Sequence, residues 1–375
     1  MNPRTRNLFR LGLGLLLLGL GAFSAAFLQH PVATGWAGFA LTYGPFTVGA
    51  LLMAVSPYLG TSAGIKNDGI WSGALSSRKV AAWVLGALLT GFYCLVYWWP
   101  EHLEGVVRQT DPLAFALTGS GASQWFLYGY LYTLAVTVMG ARMAMRYRHN
   151  RYQLIRTASV VFFQLAFGFL VPQVLKAFQQ PEFYFTYFWP LKKEYLFPSD
   201  LKWLASSGGF GVFMAFWGVA AALVITPALT WYFGKRWYCS WVCGCGGLAE
   251  TAGDPFRHLS DKSRAAWKFE RWSIHLTLVV VTLVTALVVA TWVAGGETAG
   301  REASGAVAWL GAASGKATQW YGFLVGSVLS GVVGVGFYPL LGTRVWCRNF
   351  CPQAAILGLI QKFFSRFRIT TNGGQ

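Results

Sequence analysis

The chain has 375 residues, of which 55% are hydrophobic and only 11% charged, with a mean hydropathy of +0.46 and a net charge of +17. Soluble domains carry about a quarter charged residues, so this composition excludes an ordinary soluble fold and points to lipid. The basic excess is not that of a nucleic-acid binder, because the cations lie in short runs between long apolar stretches and not on one soluble face.

Eight segments stay apolar for the roughly 20 residues that a bilayer-spanning helix needs. They lie at about 8–28, 35–58, 79–99, 123–145, 155–175, 208–233, 273–294 and 321–341. The predicted fold is therefore all-α: a polytopic membrane protein of about eight transmembrane helices. Arg4, Arg6 and Arg10 precede the apolar core of the first segment, as in a signal peptide. Its apolar core from Leu11 to Leu28 is too long for one, and no small-x-small site leads into a soluble domain. The segment is read as a retained span with the N-terminus in the cytoplasm. Under that arrangement 23 of the 30 Lys and Arg residues fall inside and seven outside, the bias that orients membrane helices. Both termini are then cytoplasmic.

The remaining features follow in chain order. Cys94 stands alone in an apolar run and reads as a small buried hydrophobe. Gln164, Pro172 and Pro227 are the main interruptions within spans, and Pro227 is expected to kink its helix. Charge is almost absent from the spans, which argues against an ion-coupled carrier. Residues 176–207 hold Phe183, Tyr184, Phe185, Tyr187, Phe188 and Trp189, too aromatic for a free loop, and are expected at the interface or against a partner. Asp254 reads as part of a solvated turn. The five histidines, His30, His102, His149, His258 and His275, supply no pair of axial haem ligands. His275 reads as a capping or interfacial residue able to hydrogen-bond a quinone. Residues 295–320, with Trp309 and Trp320, are expected to include a short interfacial helix.

Two stretches carry the chemistry. Gly234-Lys-Arg-Trp-Tyr-Cys239-Ser-Trp-Val-Cys243 and Gly342-Thr-Arg-Val-Trp-Cys347-Arg-Asn-Phe-Cys351 both read Gly-x-Arg-x-aromatic-Cys-x-x-x-Cys. Each follows the inner end of a span, the sixth and the eighth, so the motif is an internal repeat in register. On a helix, residues i and i+4 share a face about 5–6 Å apart. Two such pairs supply four thiolates, the set that holds a [4Fe–4S] or [2Fe–2S] centre. Arg236 and Arg344 would offset the negative charge of such a centre and help tune it. Structural disulfides are disfavoured on the cytoplasmic side. Zinc on four cysteines is chemically possible, although its usual spacing is Cys-x-x-Cys.

The repeat resembles the membrane ferredoxin-type domain of the NapH/NosR-type group, electron-transfer membrane proteins of nitrate and nitrous-oxide respiration, over roughly residues 208–360. Members carry two Cys-x-x-x-Cys-Pro motifs at inner helix ends. The second motif matches fully, through Pro352, while the first has Gly244 and Cys245 in place of proline. The resemblance implies a [4Fe–4S] cluster on Cys239, Cys243, Cys347 and Cys351, with Cys245 as an alternative ligand or a neighbouring thiol. It also implies a place in a bacterial inner membrane. No soluble ferredoxin run of cysteines is present, and centres on one face cannot carry electrons across about 30 Å of hydrocarbon. The expected role is thus a non-catalytic electron-transfer subunit between a cytoplasmic or quinone donor and another redox subunit, of ferredoxin or cytochrome type. Residues 208–375 form the three-span ferredoxin-type region and residues 1–207 a five-span region for docking that partner. The competing expectation is a metal-handling or assembly factor that binds copper or zinc through the same cysteines.

Overall fold

A computed structural model describes residues 2–30, 34–64, 73, 75–295 and 305–366. Every regular element among these residues is helical. Among the described residues seven helices are long and apolar enough to cross a membrane: α1 (Pro3–Phe27), α2 (Gly35–Leu59), α3 (Val80–Trp98), α5 (Arg151–Ala177), α6 (Gly209–Phe233), α9 (Arg264–Val293) and α10 (Ala306–Gly336). Large apolar side chains such as Leu17, Leu88, Phe216 and Leu283 point outward on them, the arrangement expected where the surroundings are lipid. The chain is thus a membrane protein. The helix read as the fourth of eight spans, α4 (Gln124–Arg146), is 23 residues long. Its three tyrosines and Arg142 and Arg146 leave it short of the apolarity of the other seven.

Two boundaries differ from expectation. Helix α9 starts at Arg264, well before 273, because Ser263 caps it: its side chain accepts from the Ala266 N–H. Ala306–Tyr321 is helical as anticipated, yet it runs directly into the last apolar helix and is no separate interfacial element. Proline shapes two spans in one way. Ala166–Leu170 and Ala221–Ile225 are π-turns, each ending two residues before a proline, Pro172 and Pro227. Proline removes an N–H and crowds the preceding carbonyl, so the ladder widens locally where a break would otherwise form.

The described chain gathers into two compact units, each drawing on both halves of the sequence. The first comprises Met1–Glu182, Trp241–Ser260 and Gly336–Thr343. Helices α1 and α2 meet closely in it: a Cβ at Gly19 would lie 2.5 Å from the Phe46 nitrogen, and one at Gly49 2.4 Å from that of Leu16. Its core gathers Ala26, Tyr43, Val96, Leu103, Val106 and Leu127. Cys94 is only half-buried, not the buried hydrophobe anticipated. The 241–260 segment is pinned by charge. Asp254, expected in a solvated turn, is 5% exposed and paired with Arg142 and Arg146. His258 Nε2 sits 2.8 Å from the Ser76 carbonyl oxygen.

The second unit comprises Phe183–Ser240, Asp261–Val335 and Arg344–Gln375. Its aromatic segment folds back on its own helices. Phe183 stacks on Tyr195 at 4.5 Å, Trp217 Nε1 donates to the Phe185 carbonyl at 2.9 Å, and the Tyr238 hydroxyl donates to that of Thr186 at 2.8 Å. Phe197, Val281, Val284 and Tyr321 form an adjoining core.

Candidate metal centre

The two copies of the motif fold alike. Gly234 (φ 73°) and Gly342 (φ 85°) open them in backbone conformations that only glycine adopts without strain. A short helix follows in each, α7 (Arg236–Trp241) carrying Cys239 and α11 (Val345–Asn349) carrying Cys347. Both helices end before the second cysteine. Cys243 and Cys351 are extended, at φ −67°, ψ 134° and φ −78°, ψ 110°, and begin the next helices, α8 (Gly244–Glu250) and α12 (Pro352–Phe364). The four-residue spacing therefore does not place each pair on one helical face. It places one thiol in a helix and the other at a helix start.

The helix break has a different cause in each copy. Pro352 disfavours helical backbone at Cys351 and is well suited to open α12. The first copy has Gly244 at that position, and side chains of α4 and α5 hold the turn instead. Ser159 Oγ donates to the Trp241 carbonyl at 3.1 Å, Gln164 Nε2 to that of Val242 at 2.8 Å, and the Tyr132 hydroxyl to that of Gly244 at 2.7 Å. Gly247 lets α8 lie this close to α5, since a Cβ there would meet Val160 Cγ1 at 2.8 Å. Beyond the turn, Glu250 pairs with Arg156 at 3.0 Å and Arg257 at 2.8 Å.

All six cysteines are free of disulfides. Cys243 (6%) and Cys351 (5%) are buried, whereas Cys239, Cys245 and Cys347 are half-buried. In the second unit Cys239 and Cys347 line one cavity of about 550 Å³. Its walls also carry Lys235, Arg236, Arg271, Arg344, Arg348, Lys362 and His275 against a single acid, Glu270. Glu270 pairs with Arg348, whose guanidinium also donates to the Asp261 carbonyl at 2.7 Å. Burial pulls the Arg348 pKa down. The Asp261 carboxyl lies below the usual range because the Ser263 amide and hydroxyl donate to it, aided by Arg348. His275, read as a cap, stands within α9, its Nδ1 2.6 Å from the Arg271 carbonyl oxygen.

This donor set fits an iron–sulfur cluster. Reduced thiols are available, two of them on one cavity with room for an inorganic core, and the surrounding cations offset thiolate charge. Among the described residues no three His, Cys, Asp or Glu side chains converge tightly enough to hold a single metal ion. A cluster needs no such triad, because its core spaces the sulfurs apart. Arg236 and Arg344, anticipated from sequence, do line the cavity, whereas Lys235, Arg271, Arg348 and Lys362 were not foreseen. Tyr132 and Ser159 were also missed; the signal for the turn's anchor was Gln164, a polar side chain in an apolar helix.

Residues 206–263 and 324–370 match the family model described as a 4Fe-4S binding domain. These stretches contain all five clustered cysteines, and over them the chain is similar to ferredoxin-like iron–sulfur proteins. No curated protein and no solved structure matches the chain.

Proposed function

We propose that the protein is a membrane-bound electron-transfer subunit whose [4Fe–4S] cluster is held by Cys239, Cys243, Cys347 and Cys351. The observation that carries this reading is the duplicated motif within the 4Fe-4S match, with Cys239 and Cys347 on one cation-lined cavity. Arg236 and Arg344 balance the cluster's charge from that cavity. Cys245, two residues beyond Cys243 in the first turn of α8, serves as a neighbouring thiol or substitute ligand. In this reading the cysteine repeat works as in the NapH/NosR-type group that it resembles.

In this reading α4 completes a set of eight spans, both termini are cytoplasmic, and the motifs face the cytoplasm of a bacterial inner membrane. The distribution of Lys and Arg supports that orientation. Electrons arrive from a cytoplasmic carrier or a quinone and leave to a ferredoxin-type or cytochrome subunit. The protein itself catalyses no bond chemistry.

The test is iron and acid-labile sulfide content with EPR on anaerobically purified protein. About four irons and four sulfides per chain, with a reducible signal, are expected for one [4Fe–4S] cluster. Zinc or copper without sulfide would overturn the reading in favour of a metal-handling factor.

A further inference from the structure

The cavity that holds Cys239 and Cys347 lies wholly within the second unit, and its charge is out of balance. Six cations line it, Lys235, Arg236, Arg271, Arg344, Arg348 and Lys362, against one acid, Glu270, which Arg348 already holds. Lys235, Arg236 and Arg271 are exposed, and among the described residues none of the three has an acidic partner. Arg271 lies instead over the Trp267 ring, 5.5 Å from its centroid. Even with both thiols ionised, cations outnumber anions in the lining by six to three. The core of an iron–sulfur cluster is itself positive, so the surplus does not depend on whether one is present. Like charges gathered around an enclosed space repel one another and focus a field that draws in an anion. The volume of about 550 Å³ is that of a small-ligand site.

The remaining lining is apolar. Ile274, Ala354, Ala355 and Leu359 contribute to it, and Gly358 faces open space: a Cβ there would meet nothing within 4 Å outside its own stretch of helix. The cavity also lies where α9 passes from polar to apolar. Glu270 and Arg271 stand in its wall, whereas Leu276, Val279 and Leu283 beyond them are exposed and apolar. Exposed aromatics border the lining residues along the chain. Trp231, Tyr232 and Phe233 precede Lys235, Trp272 follows Arg271, and Phe363 and Phe364 follow Lys362. Rings so placed settle at the headgroup level of a bilayer. A soluble anion would use the cations and leave the apolar lining wet, whereas an amphiphile with an anionic head uses both.

We propose that this cavity binds the phosphate headgroup of an anionic glycerophospholipid. Lys235, Arg236 and Arg271 hold the phosphate, the two guanidinium groups matching its oxygens as paired donors. Ile274, Gly358 and Leu359 receive the start of an acyl chain. Basic pockets beside membrane helices bind anionic lipid in this way. The site stands on residues of the second unit alone and needs no cluster.

The test is native mass spectrometry of the full-length protein in neutral detergent. The protein is titrated with phosphatidylglycerol or with phosphatidylcholine of the same acyl chains, whose headgroup has no net charge. Wild type is compared with Lys235→Gln/Arg271→Gln, with Gly358→Leu and with a control, Lys268→Gln. Lys268 lies on α9 but outside the lining. The expected result is about one phosphatidylglycerol per wild-type and control chain, with binding about tenfold weaker or worse for phosphatidylcholine and for both cavity variants. Gly358→Leu keeps every charge and fills open space, so it reads the cavity even if the double variant does not fold. Equal binding of the two lipids, unaltered binding in the cavity variants, or an equal loss in Lys268→Gln would each overturn the proposal. Wild-type protein that takes up inorganic phosphate or a soluble polyglutamate peptide but no lipid would overturn it in favour of a free anion or an acidic protein. Iron and sulfide are measured on the same preparations; their absence would remove the cluster reading and leave this proposal standing.

Discussion

Arg142 and Asp254 stand 2.8 Å apart with only 3% and 2% of their side chains exposed. The same carboxylate oxygen accepts from Arg146 at 2.5 Å. Arg142 lies near the C-terminal end of α4 and Asp254 follows the first cysteine motif, so this ion pair fastens the motif's downstream segment to α4.

Removing one partner of a buried ion pair leaves an uncompensated charge and costs about 3–5 kcal/mol, whereas replacing both by apolar groups is often tolerated. Asp254→Ala should therefore lower the yield and thermal stability of detergent-purified protein sharply. Arg142→Met combined with Asp254→Leu should recover much of that loss. A double variant as unstable as Asp254→Ala would show that Arg146 and Arg257 carry the requirement.

Substitution of the cysteines should sort them. Cys243→Ser and Cys351→Ser are expected to lose iron and sulfide, Cys239→Ser and Cys347→Ser to do the same, and Cys94→Ser to keep wild-type content. Cys245→Ser decides its own role: retained iron with a shifted EPR spectrum marks a neighbouring thiol. Metal analysis of each variant reads these outcomes directly.

Gly247→Val tests the close approach of α8 to α5. With a Cβ only 2.8 Å from Val160 Cγ1, the added side chain forces the turn away from Gln164. Overpacking of this kind costs about 1–3 kcal/mol. The expected result is reduced iron loading, partly restored when Val160→Ala is added; no restoration would place the strain elsewhere.

The start of α9 should loosen in acid. The Asp261 carboxylate accepts from the Ser263 amide at 2.8 Å and lies below its ordinary value of 3.8. A depressed carboxyl stabilises the fold above its unfolded value, and the contribution disappears as pH falls through the lower, folded value. Hydrogen-exchange protection of residues 263–266, corrected for the intrinsic exchange rate, should fall in the wild-type protein as pH drops below 3.8. In Asp261→Asn that loss of protection should be missing.

Much of the architecture was written in the chain's apolar runs. Lipid demands unbroken hydrophobic stretches, so the centres of α1, α2, α3, α5, α6, α9 and α10 are evident from sequence. Helix ends were less so. Helix α9 extends two turns beyond its apolar stretch, through Lys268 and Arg271, because a helix emerging into water keeps its hydrogen bonds while losing its hydropathy signal. The cysteines were equally plain, yet their spacing misled: four residues on one helix became a helix and a turn once Pro352 and the α5 side chains acted. Asp254 was illegible for a simpler reason. Its partner Arg142 lies 112 positions earlier, and no local pattern announces so distant a contact.

Both copies of the motif grade their thiols alike, the first half-buried and the second sealed. Dissolved peroxide or an alkylating reagent entering the cation-lined cavity meets Cys239 and Cys347 first. The same route is the natural one for delivery of iron and sulfide. For the proposed cluster, lifetime in air would then depend on access to that cavity, set by how well Lys235, Lys362 and their neighbours, or a seated partner, close its opening.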